Sequence, residues 1–151
     1  MHIIYHCVGG AHSSPTAAAI HLNMLPTDHI PNKLDILNLP FFDTLEKKDR
    51  GKIIYRGTDE FDNKVYTLGR QFIPDIVINS IKDMWGILNQ KEDDLLIVNT
   101  LPSVNLLMKI GGFSSRRLNL VKFGRPIVLH GTLSAYTNIV KIVKETKKSF
   151  L

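Results

Sequence analysis

Residues 5–19 read Tyr5-His6-Cys7-Val8-Gly9-Gly10-Ala11-His12-Ser13-Ser14-Pro15-Thr16-Ala17-Ala18-Ala19, and the fold turns on how they are read. The stretch holds the only cysteine, two of the six histidines and a Gly-Gly pair. Residues 2–8 are mostly apolar or aromatic, too short for a helix, and run straight into glycine, so they predict a buried strand central in a parallel sheet. Gly9 and Gly10 permit positive φ and close backbone approach. Ser14 followed by Pro15 is a helix-start signal, a hydroxyl N-cap before proline at the first helical position. Ala17, Ala18 and Ala19 then give high helix propensity and a slim helix able to sit close to a sheet, ending near Met24. A strand turning through small residues into a helix aims several backbone N–H groups at one spot, which suits an anion.

Downstream, Pro26, Pro31 and Pro40 punctuate an irregular region with a short helix expected within Asn32–Leu39 and Phe41 and Phe42 as core anchors. Residues 52–56 and 64–68 are β-branched and aromatic around the turn material Asp62-Asn63, which predicts an antiparallel hairpin at a sheet edge. Pro74 opens an amphipathic helix whose inner face is read as Ile73, Ile76, Val77, Ser80, Ile81, Met84, Ile87 and Leu88, with Trp85 off that stripe and half-buried. Residues 95–98 (Leu-Leu-Ile-Val) form a second buried strand ending at Asn99-Thr100, and a helix follows from Pro102 to about Ile110, stopped by Gly111-Gly112. Residues 113–125 are read as a polar, basic connection containing Ser114, Ser115, Arg116 and Arg117. Pro126-Ile127-Val128-Leu129 is read as a third buried strand ending at His130-Gly131-Thr132, before a last helix with Tyr136, Ile139, Val140 and Val143 inside and lysines outside.

Buried strands alternating with helices indicate a single α/β domain over residues 1–151, a three-layer, doubly wound, mostly parallel sheet with an added β-hairpin. The 44% of apolar residues is enough for one sizeable core. No apolar run reaches the length of a membrane span, and no charged leader precedes the first strand. One cysteine excludes an internal disulfide. A cytoplasmic, reducing setting with a free Cys7 thiol is therefore expected.

The net charge of +5 is uneven: residues 1–108 carry 10 Lys/Arg against 13 Asp/Glu, and residues 109–151 carry 9 against 1. The basic C-terminal third reads as a solvated helix face and tail, and a nucleic-acid partner is not expected from charge alone.

In open α/β sheets ligands bind beyond the carboxyl ends of the strands. The expected strand ends bring together Cys7 to Ser14, Asn99-Thr100 and His130-Gly131-Thr132. The candidate chemistry is Cys7 as nucleophile or redox thiol, His12 as general acid or anion donor, and Ser13. The anion contacts fall to Gly9, Gly10 and Ser14, with Asn99, Thr100, His130 and Thr132 alongside. A Walker A loop is excluded, since no Gly-Lys-Ser/Thr follows, and the dinucleotide fingerprint lacks its third glycine. His6 and Cys7 face opposite sides of a strand, and neither CxxC nor HExxH occurs, so no metal and no cofactor is expected.

Cys7 through Pro15 resembles the phosphate loop of the low-molecular-weight protein tyrosine phosphatases, which runs cysteine, five residues, arginine, serine, proline between the first strand and first helix. The resemblance implies a phosphatase-like fold, a thiolate nucleophile at Cys7 and loop amides around a phosphate carried by a small molecule or a phosphoprotein. The family's loop arginine is Ser13 here, which cannot supply a bidentate charged fork. The family's aspartate–proline acid has no counterpart, since no Asp-Pro occurs and no aspartate follows Asp94. His12 or His130 is then the expected proton donor, and Arg56, Arg70, Arg116 or Arg117 the expected charge. The run from Ile4 to Leu22, together with Asp59, Asn63, Val65-Tyr66 and Leu68-Gly69, also resembles an uncharacterised Firmicute family, domain of unknown function 3189. That likeness spans nearly the whole chain and implies no assigned activity.

Two functions stand from the sequence: an anion-binding, cysteine-dependent phosphatase-like hydrolase, or a non-catalytic regulatory or interaction protein that keeps the fold without the chemistry.

Overall fold

In the computed structural model, residues 1–113 and 121–150 are described. Strand β1 (His2–Cys7) leads to helix α1 (Ser13–His21) and the short helix α2 (Lys33–Leu37). Strands β2 (Ile53–Thr58) and β3 (Lys64–Gly69) precede helix α3 (Pro74–Ile87) and strand β4 (Leu95–Asn99). Helices α4 (Leu106–Gly112) and α5 (Val121–Lys148) complete a mixed α/β fold with a four-stranded open sheet.

The sheet order is β2-β3-β1-β4. β1 is interior, parallel to β3 with His2 opposite Lys64, and parallel to β4 with His2 opposite Leu95. β2 is the antiparallel edge strand, and its register slips between Tyr55 and Gly57. The expected central strand and edge hairpin are both present.

Alternation along β1 sorts the core. Ile3 and Tyr5 join Val65, the α1 alanines and the inner residues of α5 in one cluster. Every residue of α1 is buried, because the helix lies between the sheet and α5, and only a slim helix fits there. The expected inner face of the last helix holds, with Tyr136, Ile139, Val140 and Val143 all buried. Tyr136 Oη also donates to the Pro26 carbonyl at 2.6 Å. α2 is closed by a capping box in which Asn32 Oδ1 accepts from Leu34 and Asp35, and the Asp35 carboxylate accepts from the Asn32 N–H.

On the opposite face of β1, His2 stacks on Tyr66 and meets the edge of Trp85 from α3 at 5.1 Å. α3 is turned from the expected orientation. Pro74, Val77, Ile78, Ile81 and Trp85 are its half-buried residues, while Ile76, Met84 and Ile87 are 66%, 53% and 70% exposed. Trp85 decides this: its ring packs on His2 and its Nε1–H donates to the Lys91 carbonyl at 2.8 Å, which draws that edge of the helix inward.

The expected strand at residues 126–129 is a correction. These residues, with His130-Gly131-Thr132, lie inside α5, where the Thr132 hydroxyl donates to the Val128 carbonyl four residues back at 2.8 Å. The β-branched run was overridden by packing. α4 and α5 cross where a Cβ on Gly111 would sit 2.4 Å from Val128 N, and one on Gly131 would sit 2.7 Å from Met108 N. Glycines that read as a helix stop and a strand end are instead the contact points of two helices. Asn105 fixes the crossing, with its Oδ1 capping Met108 N–H and its Nδ2 donating to the Gly131 carbonyl at 2.7 Å. α4 accordingly begins at Leu106, after a separate 3₁₀ turn over Leu101–Ser103, and Gly111-Gly112 are its last turn. Most of the basic connection, including Arg116 and Arg117, lies outside the described residues.

A cysteine loop at the carboxyl end of the sheet

Beyond β1 the chain wraps over its own last residue. Cys7 is 6% exposed, and its Sγ accepts from the Gly10 N–H at 3.1 Å and lies 3.3 Å from Ser14 Oγ. Gly10 has φ +71, and its Cα approaches Gly69 so closely that a Cβ would stand 2.7 Å from Gly69 N. Gly69 in turn leaves no room for a side chain, since a Cβ there would lie 2.6 Å from the Gly9 carbonyl oxygen. The loop is stitched to the end of β3 by Arg70 N–H to the Cys7 carbonyl at 3.1 Å and Gln71 N–H to the Val8 carbonyl at 2.9 Å.

The helix starts two residues earlier than the Ser-Pro signal suggests. His12 occupies the N-cap without a side-chain cap, and its carbonyl accepts from the Thr16 N–H and hydroxyl. Ser14, expected as the N-cap, lies within the first turn against the sulfur instead. Among the described residues, Gly10 is the one member of residues 9–14 whose backbone N–H has an acceptor, and that acceptor is the sulfur.

Ser13 faces away from Cys7. It is 1% exposed and hydrogen-bonded at 3.0 Å to Thr100 Oγ1, which itself donates to the His6 carbonyl at 3.0 Å. The end of β4 therefore braces the loop through Thr100. Asn99 is exposed and takes the Leu101 N–H at 3.0 Å, so it caps the following turn. His130 is exposed and Thr132 is buried in α5, so neither stands at a strand end.

His12 has a partner that the sequence left unmarked. Its Nε2 lies 2.8 Å from Asp43 Oδ1, and the Asp43 carboxylate has no exposed surface. Asp43 Oδ2 accepts from Arg125 Nε at 3.1 Å, and the Asp43 N–H donates to the Ala11 carbonyl at 3.0 Å. A carboxylate only accepts, so His12 carries a proton on Nε2 and turns Nδ1 toward the last turn of α4, near Gly112. Phe42 packs edge-on against the same ring. Asp43 sits at φ 54, in the left-handed region that aspartate tolerates, and nothing in Phe42-Asp43-Thr44 announces that role.

His6, beside Cys7 but on the other face, is 2% exposed and accepts on Nδ1 from Arg70 Nε at 3.2 Å. Burial and then the Arg70 charge push its pKa down to about 4, so it is neutral at ordinary pH. On the α1 face of β1, Tyr5 Oη donates to His21 Nδ1 at 2.8 Å, and His21 Nε2–H donates to Asp59 at 2.9 Å. Burial works against charge on Asp59, yet hydrogen bonds from Asn63, His21 and Phe61 outweigh it and hold the carboxyl at about 2. This relay is fully buried and ties β1, α1 and the hairpin turn together.

Among the described residues, no group of three or more His, Cys, Asp or Glu side chains is placed to hold a metal, and no helix is long and apolar enough to cross a membrane. A mixed α/β chain with a lone cysteine folded under a glycine loop at the strand ends is the class that these features define. The chain belongs to the family described as protein of unknown function, DUF3189, whose model matches residues 2–148. No curated protein and no solved structure matches it.

Proposed function

We propose that the loop from Cys7 to Ser14 binds a phosphoryl anion and that the protein is a divergent, cysteine-dependent phosphatase-like hydrolase. The observation that carries this reading is the Cys7 sulfur held by Gly10 N–H at 3.1 Å and Ser14 Oγ at 3.3 Å. Both groups stabilise negative charge on sulfur, and the neighbouring loop N–H groups have no acceptor among the described residues. The finer fold reading, a doubly wound three-layer relative of the low-molecular-weight phosphatases, is supported by α1 and α5 on one sheet face and Trp85 of α3 on the other.

In this reading, Cys7 Sγ bonds to phosphorus as the ester P–O bond breaks. The leaving oxygen takes the Nδ1 proton of a His12 imidazolium whose Nε2–H stays on Asp43. Water then attacks the thiophosphate, passes a proton to His12 and restores the thiolate as phosphate leaves. The substrate is a phosphorylated small molecule or a phosphoprotein, and the setting is cytoplasmic.

The test is hydrolysis of p-nitrophenyl phosphate. Turnover by the wild type that is lost in Cys7→Ser and reduced about 100-fold or more in His12→Gln is the expected result. A wild type without turnover, whose Cys7 alkylation phosphate nevertheless slows, supports the second reading, a non-catalytic anion-binding regulator. Ser13 favours that second reading, because its hydroxyl is committed to Thr100 where a phosphatase would aim an arginine.

A further inference from the structure

We propose that Arg125, carried on α5, supplies the cation missing from the loop at Ser13, and that Asp43 is the positioning residue that holds Arg125 and His12 to the loop. This inference rests on the anion-loop reading above.

Of the arginines considered from the sequence, Arg56 and Arg70 lie among the described residues, and both have other partners. Arg70 is 5% exposed, and its guanidinium is committed to His6 and to the Gln71 carbonyl, on the sheet face opposite Cys7. Arg56 lies back along the sheet, with Nε on Thr67 and its guanidinium over the Phe41 ring at 4.6 Å. Arg116 and Arg117 are outside the described residues. Arg125 was not among the candidates, yet its guanidinium meets the Asp43 carboxylate that also holds His12. Its Nε and Nη2 bond Asp43 at 3.1 and 3.5 Å, and Asp43 bonds Ala11 and His12 within the loop.

The charges fit an anion site. The buried Asp43 carboxylate gives one oxygen to each partner. Arg125 brings a permanent positive charge to this cluster. Arg125 Nη1 has no acceptor among the described residues, and its side chain is 43% exposed, so a guanidinium edge stays open to solvent. A guanidinium presents parallel N–H groups that match a tetrahedral phosphoryl group better than a lysine does. The ligand class is therefore a phosphate monoester or inorganic phosphate.

Cys7 is the sole cysteine, so iodoacetamide alkylation followed by mass spectrometry reports on this site alone. Inorganic phosphate is titrated as the protecting probe. Wild-type alkylation slows with phosphate. Arg125→Gln raises the phosphate concentration for half-protection at least tenfold, each variant being read against its own phosphate-free alkylation rate. Arg125→Lys falls between them. Asp43→Asn, which tolerates the same left-handed backbone, weakens protection in the same direction. A protected wild type matched by an equally protected Arg125→Gln overturns the inference and leaves the loop reading standing. A wild type that phosphate does not protect overturns both. Thermal melts check folding. If Arg125→Gln does not fold, the comparison passes to Arg125→Lys, which keeps the ion pair but loses the fork, and its equality with wild type overturns the inference.

Discussion

The unfolding free energy of this protein is expected to fall steeply between pH 6.5 and 4, and His6 is the main reason. Its ring is 2% exposed and takes a hydrogen bond on Nδ1 from Arg70, so protonation there would place two cations in contact within the sheet edge. The native imidazole stays neutral down to about pH 4, whereas an unfolded histidine protonates near 6.5. The sign follows directly: below 6.5 the unfolded chain binds a proton that the native state refuses, so stability declines as the pH falls. At about 1.4 kcal/mol per pH unit, the full interval withdraws about 3 kcal/mol. His21, also held low by burial, adds to the decline in the same interval. The perturbation is His6→Gln, whose amide oxygen can accept from Arg70 without titrating. Urea unfolding at half-unit steps from pH 7.5 to 4.5 should show the variant destabilised at neutral pH but with a shallower slope, the two curves converging by about 2 to 3 kcal/mol. Parallel curves across that range would refute the assignment of the slope to His6.

Gly111→Ala should lower stability by about 2 to 3 kcal/mol in the same assay at pH 7, because the new methyl meets the Val128 backbone, which cannot move without separating α4 from α5. Equal stability would mean that the crossing is looser than described. Tyr136→Phe removes the 2.6 Å hydrogen bond to the Pro26 carbonyl and should cost about 1 kcal/mol by thermal or chemical denaturation. Between pH 4 and 2 a further loss of about 2 kcal/mol is expected from Asp59, since a carboxyl held at about 2 gives stability that is present above its unfolded value and disappears as it protonates. Asp59→Asn should flatten that acid limb.

Legibility from sequence divided along physical lines. β1, the edge hairpin and the slim α1 were readable because local signals and tertiary demand agreed: two-sided burial made β1 mostly apolar or aromatic, and the close fit under α5 required alanine. Pro126-Ile127-Val128-Leu129 was misread because a β-branched run looks the same buried in a helix as in a strand, and the deciding contacts, Gly111 on Val128 and Gly131 on Met108, are long-range. The face of α3 was misjudged because a single Trp85 contact outweighed the count of apolar residues on the other side. Cys7, Gly10 and Ser14 stood out by composition and spacing, and they do meet in space. Asp43 and Arg125 did not stand out: Arg125 is one of several cations in the basic connection, and the 82-residue separation from Asp43 hides the pairing.

The strand order also governs how the chain assembles. β1 pairs with partners 62 and 93 residues downstream, so it is made long before either neighbour exists. Until β3 and β4 arrive, Ile3, Ile4 and Tyr5 have no sheet to enter, and the Cys7 thiol has no Gly69 to close its loop. Contacts of such separation are slow to form. The residue that a mature molecule guards most closely is thus among the most accessible on the nascent one, and its exposure to oxidants and chaperones ends only when the strands synthesised last have docked.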